Sequence, residues 1–541
     1  MTNTPKPSNT TNASSTQHPS DAHSSGIVNH RWLGFFAVLT ALIMNILDST
    51  IVNVAAPSIR TELGASYCDL QWIAAGYTLA LAVGLLTGGR LGDLFGRRTM
   101  LLIGVVGFAA SSLACAAAPS PGALIAARVV QGLFGAAMIP QGFGLLRDLF
   151  PPQELGKAFG ALGPVIGLST ILGPIVAGTL IDANLFGTGW RMVFGINLPL
   201  AAFTLFGGFK ALPRRATRSG NAVRLDRVRL DGVGALLAGA GMFLLVYPLV
   251  QGRELGWPSW MAFVTAGAVA VFALFAAQQA RRSRRGVATL VEFSVLTKRS
   301  YAGGTLFTLV FFGGIVGFSL TVGLLLQLGF GYTPVHAALT MVAWAIGAFF
   351  GAGFSATMMH KLGRRILHLG LSIMAVSLVG LYLVLGHAHS GLSGSGLSGW
   401  RLAPSLGAYG LGMGMIFVPL FDIIMGEVSD REVGSASAIL ESLQQLGASV
   451  GVAGLGTVFF GTIGAHPHTA GYLQATQRVT LVTIALVAAA FALGFLLPRR
   501  ARQAGPDAPN AEFETKAAPK SGTAIDIDDV EIISELEPVA V

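Results

Sequence analysis

The sequence predicts an all-α integral membrane protein with about fourteen transmembrane helices, in two six-helix halves with a two-helix insertion between them. Three observations support this fold class. Apolar residues make up 52% of the chain and charged residues only 11%, whereas soluble domains carry about 25% charge. The charges cluster between long apolar runs, and one loop sequence recurs in the second half.

The apolar runs are long enough to cross a bilayer, since a spanning helix needs roughly 20 mainly apolar residues. In chain order they cover residues 32–56, 71–88, 99–118, 122–146, 157–181, 191–212, 232–250, 260–279, 303–327, 335–359, 366–387, 402–426, 434–460 and 478–497. The seventh and eighth runs form the predicted insertion.

These runs divide the chain into predicted domains. A cytoplasmic tail rich in Ser, Thr and Asn, expected to be disordered, precedes the first half, and a second tail that turns from basic to acidic follows the last run. The boundaries are 1–31 for the first tail, 32–212 for the N-terminal half, 213–302 for the linkers and inserted pair, 303–497 for the C-terminal half and 498–541 for the second tail.

The loop charges predict the orientation. With both termini in the cytoplasm, the cytoplasmic loops collect most of the basic residues, which is the positive-inside pattern of multi-pass membrane proteins. They hold Arg90, Arg97, Arg98, Arg147, Lys157, Arg214, Arg215, Arg218, Arg224, Arg227, Arg229, Arg281, Arg282, Arg284, Arg285, Lys298, Arg299, Lys361, Arg364 and Arg365. The opposite loops hold few, such as Arg60, Arg253 and Arg401. The net charge of +9 therefore indicates membrane orientation and no nucleic-acid partner. The excess of Arg over Lys with abundant Ala and Gly is typical of a bacterial high-GC genome, so the predicted location is a bacterial cytoplasmic membrane.

A short loop marks both halves. After the second run the chain reads Gly89-Arg-Leu-Gly-Asp93-Leu-Phe-Gly96-Arg97-Arg98, and after the tenth it reads Met359-His360-Lys-Leu-Gly363-Arg364-Arg365. Both loops place a glycine before two arginines, which indicates two related halves.

The sequence does not predict an enzyme. It contains no catalytic constellation and no phosphate-binding loop of the GxxxxGK[ST] kind, so ATP-driven transport within this chain is not expected. The histidines lack metal-ligand spacing, and no cofactor or metal is predicted.

Five motifs follow one another along the N-terminal half. They are Leu47-Asp48-Ser-Thr-Ile-Val-Asn53-Val-Ala-Ala-Pro57, the loop from Gly89 to Arg98, Arg128-Val-Val-Gln131-Gly132-Leu-Phe-Gly135, Gly167 with Gly173-Pro174-Ile-Val-Ala-Gly178, and Trp190-Arg191-Met-Val-Phe194-Gly-Ile-Asn197-Leu-Pro199. In this order they resemble the major facilitator superfamily and, more narrowly, the fourteen-helix branch of its drug:proton antiporters, over residues 32–497. The chain departs from many members at Ala177, where they place glycine, and at Glu441 and Gln444, where they place a neutral residue and an arginine.

The resemblance implies a proton-coupled antiporter that exports bulky apolar or cationic compounds, such as drugs or antibiotics, by alternating access. The implied partners are a small-molecule substrate, protons and the lipid bilayer, and the implied state is a monomer. Two alternatives stay open. One is a dedicated exporter or importer of a single endogenous metabolite. The other is a non-transporting membrane sensor built on a carrier fold.

The candidate coupling site is built on charges inside apolar runs, which are rare and usually functional. Asp48 can hold a proton or a cationic substrate but not both comfortably, unless it is a structural acid satisfied by Ser49, Thr50 or Asn53. Arg128 cannot release its proton, so it is expected to tune a neighbouring acid or hold a hydrogen-bond network, with snorkelling to the interface as the alternative. The complete candidate set for proton coupling or substrate is Asp48, Arg128, Glu441, Asn53, Gln131, Gln327, Gln444, Gln445 and Asp422.

Two further groups are candidates for conformational roles. The loop residues Gly89, Asp93, Gly96, Arg97 and Arg98 are a predicted latch on the cytoplasmic side, with loop topology as the simpler interpretation. The resemblance assigns an antiporter motif to Gly167, Gly173, Pro174 and Gly178. Its Gly-Pro pair is expected to kink the fifth helix and, by the resemblance, to limit proton leak.

Overall fold

The structure is a computed structural model, and it describes residues 21–151, 172–213, 231–390, 399–463 and 468–498 together with positions 154 and 169, apart from positions 288, 292, 297, 427 and 429–432. We number its long helices in chain order. They are α1 Asp21–Leu63, α2 Tyr67–Phe95, α3 Arg97–Ala116, α4 Pro121–Leu149, α5 Leu172–Ala183, α6 Asn197–Ala211, α7 Gly232–Gln251, α8 Trp260–Arg284, α9 Arg299–Leu324, α10 Pro334–Leu362, α11 Arg365–Ser390, α12 Ala403–Met425, α13 Val433–Ile463 and α14 Thr469–Gly494.

The predicted fold class is confirmed. Within the described ranges the regular structure is helical, and 13 helices are long and apolar enough to cross a membrane. The remaining one, α5, is the shorter described end of the fifth predicted run. The start of that run, the linker after α6, residues 1–20 and residues 499–541 lie outside the described residues. Residues 21–31, which the sequence assigns to the disordered first tail, instead form the first turns of α1.

Two further predicted boundaries are wrong in an informative way. α2 continues to Phe95, so Gly89 lies inside the helix and not in the turn that the sequence predicts there. Gly96 alone forms the turn, at a φ of 90° that favours glycine. α14 begins at Thr469, nine residues before the predicted start at Arg478, because the polar residues of its first turns face water or neighbouring helices and hide the helix from a search for apolar runs.

The recurring loop has one structural role in both halves. Gly363, between α10 and α11, has a φ of 50°, and Gly96, between α2 and α3, has a φ of 90°. Arg98 donates to the carbonyls of Gly208 (3.2 Å) and Phe209 (2.9 Å) at the end of α6, and Arg364 donates to those of Phe495 (2.9 Å) and Leu497 (2.6 Å) after α14. A cation there satisfies carbonyls that the helix end leaves free and complements the helix dipole.

Small residues bring helices of the C-terminal half into close contact. A Cβ added at Gly410 would lie 1.9 Å from the carbonyl oxygen of Trp344, and one added at Gly451 would lie 2.0 Å from that of Gly313. A Cβ added at Gly414 would lie 2.0 Å from the carbonyl oxygen of Ala348, and one added at Gly447 would lie 2.5 Å from that of Leu309. Two packing seams of small residues therefore join α10 to α12 and α9 to α13.

The bundle has two ends, which we name by their residues. The tail face holds Arg31, the turn at Gly96 and Leu497, and the distal face holds the turns at residues 64–66, 252–259 and 331–333. The tail face is the one that the loop charges predict to be cytoplasmic.

The two halves meet along α2 and α13, which run antiparallel. Ser442 donates to the carbonyl of Ala82 (2.7 Å), Ser449 donates to that of Ala75 (3.2 Å), and Tyr67 stacks on Phe460 at a centroid distance of 4.2 Å. The inserted pair, α7 and α8, packs beside this seam, where Thr457 of α13 donates to the carbonyl of Leu249 in α7.

The apolar core of the N-terminal half is divided in two. One cluster lies toward the tail face and includes Val38, Leu101 and Leu145, and another lies toward the distal face and includes Ile59 and Trp190. Between them lies a layer of buried polar side chains.

Candidate functional site

The polar layer is built by four helices of the N-terminal half. α1 supplies Asp48, α3 supplies Ser112, α4 supplies Arg128 and Gln131, and α6 supplies Asn197. Each of these side chains is 1% exposed or less. The isolated charges of α1 and α4 thus meet inside the bundle, where each can satisfy the other.

Asp48 is held by three donors. Arg128 forms a salt bridge to Oδ2 through Nη1. Gln131 Nε2 and Asn197 Nδ2 donate to Oδ1 at 2.8 and 2.9 Å. Ser49 and Thr50 instead donate to carbonyls of their own helix, so the partners of Asp48 come from other helices and not from its sequence neighbours.

Arg128 is enclosed. It donates to Gln131 Oε1 (2.6 Å) and to the carbonyl of Ile73 (3.3 Å), and its guanidinium lies 4.0 Å from the ring centroid of Tyr77. An arginine that snorkels to the interface would be exposed at its tip, whereas this one is 1% exposed. Its burial fits the predicted role in a hydrogen-bond network and does not fit the alternative, snorkelling to the interface.

Ser112 joins the two amide side chains. Its hydroxyl accepts from Gln131 Nε2 (2.8 Å) and Asn197 Nδ2 (3.1 Å), and it donates to the carbonyl of Phe108 (2.8 Å). Sequence reasoning missed Ser112 and did not single out Asn197, although Asn197 is a polar residue in an apolar run within a quoted motif. A serine in a helix gives no comparable signal, because its hydroxyl is often satisfied by its own backbone.

The layer has unused hydrogen-bonding capacity. In the described part of the chain, Asn197 Oδ1, Asn45 Nδ2 and the hydroxyl of Tyr77 are buried and have no hydrogen-bond partner. Asn45 is three residues before Asp48, so its side chain lies about one turn away on the same face of α1. A buried polar atom without a partner is costly, and these atoms are therefore candidates for partners in another arrangement of the layer.

The second polar group lies on α13 in the C-terminal half. Gln445 Nε2 donates to Glu441 Oε1 at 3.2 Å, and all three of Glu441, Gln444 and Gln445 are half-buried. Gln444 Oε1 is buried and has no partner in the described chain. Asp422 lies on α12 with an exposed side chain, one turn from its tail-face end.

Asn53 and Gln327 lie nearer the distal face than Asp48. Asn53 is half-buried on α1. Gln327 is 8% exposed in a π-helical segment, Leu325–Gly329, that continues α9. Segments of this kind are frequent at functional sites, but these two residues are separate from the Asp48 network.

The structure describes the two arginines of the predicted latch. Arg97 forms an ion pair with Asp148 at 3.2 Å at the end of α4 and donates to the carbonyl of Gly144, while Arg98 binds the end of α6. The side chain of Asp93 lies outside the described residues. The visible contacts of Arg97 and Arg98 all hold helices of one half together.

The described part of the antiporter motif links the halves. A Cβ added at Gly173 would lie 2.5 Å from Thr50 Oγ1 in α1, and one added at Gly178 would lie 2.8 Å from the carbonyl oxygen of Pro334 in α10. Near Gly178, the backbone N–H of Val335 donates to Asp182 (3.3 Å). Gly167 and the turn before Pro174 lie outside the described residues, so the kink stays a prediction.

Two helical halves, one of which encloses an intramembrane ion pair, define a multi-pass membrane transporter. The model of the Major Facilitator Superfamily matches residues 38–452, and the chain belongs to that family. The chain is 47% identical over 435 residues to a "Probable actinorhodin transporter" of Streptomyces coelicolor, covering 80% of this chain and 73% of that protein. It is 34% identical over 443 residues to a "Tetracenomycin C resistance and export protein" of Streptomyces glaucescens, covering 81% and 78%.

The solved structures agree on the fold. A bacterial homologue of the human lysosomal transporter Spinster, in an inward-facing and unoccupied conformation, superposes with a TM-score of 0.59 at 15% identity, covering 86% of this chain and 96% of that one. The fold, the family and the named relatives together make this protein an efflux-type membrane transporter and not an enzyme.

Proposed function

We propose that the protein is a proton-coupled antiporter that exports antibiotic-like compounds, bulky and apolar or cationic, from the cytoplasm by alternating access. The single observation that carries the proposal is the buried ion pair between Asp48 and Arg128. Both termini and the tail face are cytoplasmic in this proposal, on the distribution of loop charges. The names of the two Streptomyces relatives support the substrate class and the direction.

The polar layer has partners for both protonation states of Asp48. As a carboxylate, Asp48 accepts from Arg128, Gln131 and Asn197. As a neutral acid it becomes a donor, and Asn197 Oδ1 is an unused acceptor beside it. Arg128 would keep Gln131, the Ile73 carbonyl and the Tyr77 ring. Protonation therefore weakens the link between α1 and α4 and removes the counter-charge of Arg128, while both side chains keep neutral hydrogen-bond partners.

The free energy that one proton releases is comparable to the free energy needed to separate the ion pair. Removing one partner of a buried ion pair costs about 3–5 kcal/mol. A proton that crosses 100 mV and moves down one pH unit releases about 3.7 kcal/mol. One proton per cycle can thus drive the separation of Asp48 from Arg128. Binding of a cationic or bulky substrate can then favour deprotonation of Asp48.

Two other groups complete the proposal. Glu441 is the second acid available for coupling, in a half-buried stripe beside the seam between the halves. Gly173 packs against Thr50, two residues after Asp48 in α1. This contact allows α5 to close against the helix that carries the coupling acid and to limit proton leak.

The test is exchange in proteoliposomes, with ethidium as the substrate and an imposed pH gradient. Asp48→Asn should abolish pH-driven ethidium transport, and Asp48→Glu should retain part of it. Glu62→Gln, a neutral substitution of an acid at the distal face that pairs with Arg191, is the matched control and should transport normally. Normal pH-driven transport by Asp48→Asn would remove Asp48 from coupling.

A dedicated exporter of one endogenous metabolite is the second candidate, because the two relatives are each named for a single compound. Cells that lack the protein would then retain one metabolite, and they would show unchanged sensitivity to unrelated drugs. Broad drug sensitivity in those cells would exclude this candidate.

A further inference from the structure

A cavity of about 310 Å³ opens at the distal face, away from the polar layer. It lies where the end of α1, the start of α2, the turn after α7 and the end of α13 meet. Its charged and aromatic lining consists of Arg60, Tyr67, Arg253, Glu254 and Phe460. Its volume is within the range of small-molecule pockets.

The charge of this cavity is unusual for its position. The distal face is poor in basic residues, and the sequence places Arg60, Arg253 and Arg401 among the few there. Two of those three arginines line the same cavity. Glu254 is the one carboxylate of the lining, so the two arginines leave it a net charge of +1, which water screens less than it would on an open surface.

The two guanidinium groups converge on one ring. That of Arg60 lies 4.1 Å and that of Arg253 5.9 Å from the ring centroid of Tyr67, which also stacks on Phe460. The Nε of Arg60 is buried and has no hydrogen-bond partner in the described chain. Like charges that approach the same ring repel each other, and an anion between them would relieve that repulsion and accept the unused donor.

We propose that this cavity is a binding site for a small aromatic anion, a carboxylate or phenolate on a flat apolar body. The anionic group would lie between Arg60 and Arg253. The apolar body would rest on the half-buried ring of Tyr67 and the methylene stems of the arginines. The site is separate from the coupling site and does not depend on it.

The test is equilibrium dialysis of 2-naphthoate against the purified full chain in neutral detergent. Arg60→Gln and Arg253→Gln should each weaken binding about tenfold, the effect of losing one charge-assisted hydrogen bond. Arg401→Gln, at the same face outside the cavity, should bind as the wild type does. Cyclohexanecarboxylate and naphthalene should bind more weakly, because each lacks one of the two recognised features.

Other results would overturn the proposal. Unchanged naphthoate binding in both cavity variants, each shown to be folded by its thermal transition, would place the ligand elsewhere. Displacement of naphthoate by phosphatidylglycerol at equal concentration would assign the cavity to a lipid headgroup. Asp48→Asn should keep naphthoate binding even where it stops exchange, so failure of the coupling proposal and failure of this one are distinguishable.

Discussion

At the residue scale, the central feature is a charge pair that is fully enclosed by helices of one half. Asp48 and Arg128 are 80 residues apart in the chain and form a salt bridge in the polar layer. The sequence identifies both residues, because each is a charge in an apolar run. It does not identify their pairing, since periodicity gives the face of a helix but not the helix that the face meets.

A double substitution separates the structural role of this pair from its coupling role. Asp48→Asn or Arg128→Gln alone leaves one buried charge unpaired and should lower stability by about 3–5 kcal/mol. The double variant removes both charges and should recover most of that loss. It should still fail in pH-driven ethidium exchange, because no group is left to bind the proton. Thermal unfolding in detergent and proteoliposome exchange are the two measurements, and recovery of both properties would show that the pair is not needed for coupling.

At the element scale, the helix ends and the contacts between helices show which parts of the fold the sequence predicts and which it does not. Apolar runs predict most helices to within a few residues. Helix extensions are missed where their residues are polar but paired, as at Arg90 in α2, which donates to the carbonyl of Thr289. The site shows the same limit. Ser112 has no sequence signal, and its role depends on where α3 lies relative to α4 and α6.

The seam between α10 and α12 gives a prediction at this scale. Gly410→Ala should destabilise the protein by at least about 1–3 kcal/mol, because the new Cβ would overlap the backbone of Trp344. Gly353→Ala, on α10, is the control, since nothing lies within 4 Å of its added Cβ, and alanine is the better helix former. Thermal unfolding should show a lower transition for the first and an equal or higher one for the second. Equal transitions for the two would contradict the close approach.

The start of α7 carries a pH-dependent contact outside the membrane spans. Burial alone would raise the pKa of Asp231, but the N–H of Gly234, the amides of Gln279 and Gln278, and Arg282 outweigh it, so the pKa lies below its ordinary value. Gln279 Oε1 in turn accepts from the N–H of Leu290 in the linker to the C-terminal half. Asp231 therefore ties the inserted pair to that linker.

Because its folded pKa is depressed, Asp231 stabilises the protein fully above its unfolded pKa of about 4 and loses this contribution as the pH falls through the folded value. Asp231→Ala should lower stability by about 2 kcal/mol at neutral pH. The difference from wild type should stay constant from about pH 6 to 8 and shrink below about pH 4.

Asp148→Ala, which removes an exposed ion pair with Arg97, is the control and should change stability by about 0–1 kcal/mol. Thermal unfolding of the wild type and both variants across this pH range tests the prediction. A pH-independent difference in stability between Asp231→Ala and the wild type would contradict the depressed pKa of Asp231.

At the scale of the whole molecule, the two halves must move against each other along the seam between α2 and α13 if transport uses alternating access. The seam is continuous from Tyr67 and Phe460 at the distal face to Ala82 and Ser442 near mid-depth. A covalent link across it should therefore stop exchange, whereas a link inside one half should not.

Cysteine pairs test this movement in a background where Cys68 and Cys115 are replaced by serine and alanine. Ala75→Cys with Ser449→Cys joins the halves at a point where the Ser449 hydroxyl already touches the Ala75 carbonyl (3.2 Å). Gly76→Cys with Val129→Cys lies inside the N-terminal half, where a Cβ added at Gly76 would be 3.4 Å from Val129 Cγ2. A short bifunctional thiol reagent should abolish ethidium exchange in the first pair and leave it intact in the second, with reduction restoring the first. Exchange that survives complete crosslinking of Ala75→Cys and Ser449→Cys would rule out movement of the halves along this seam.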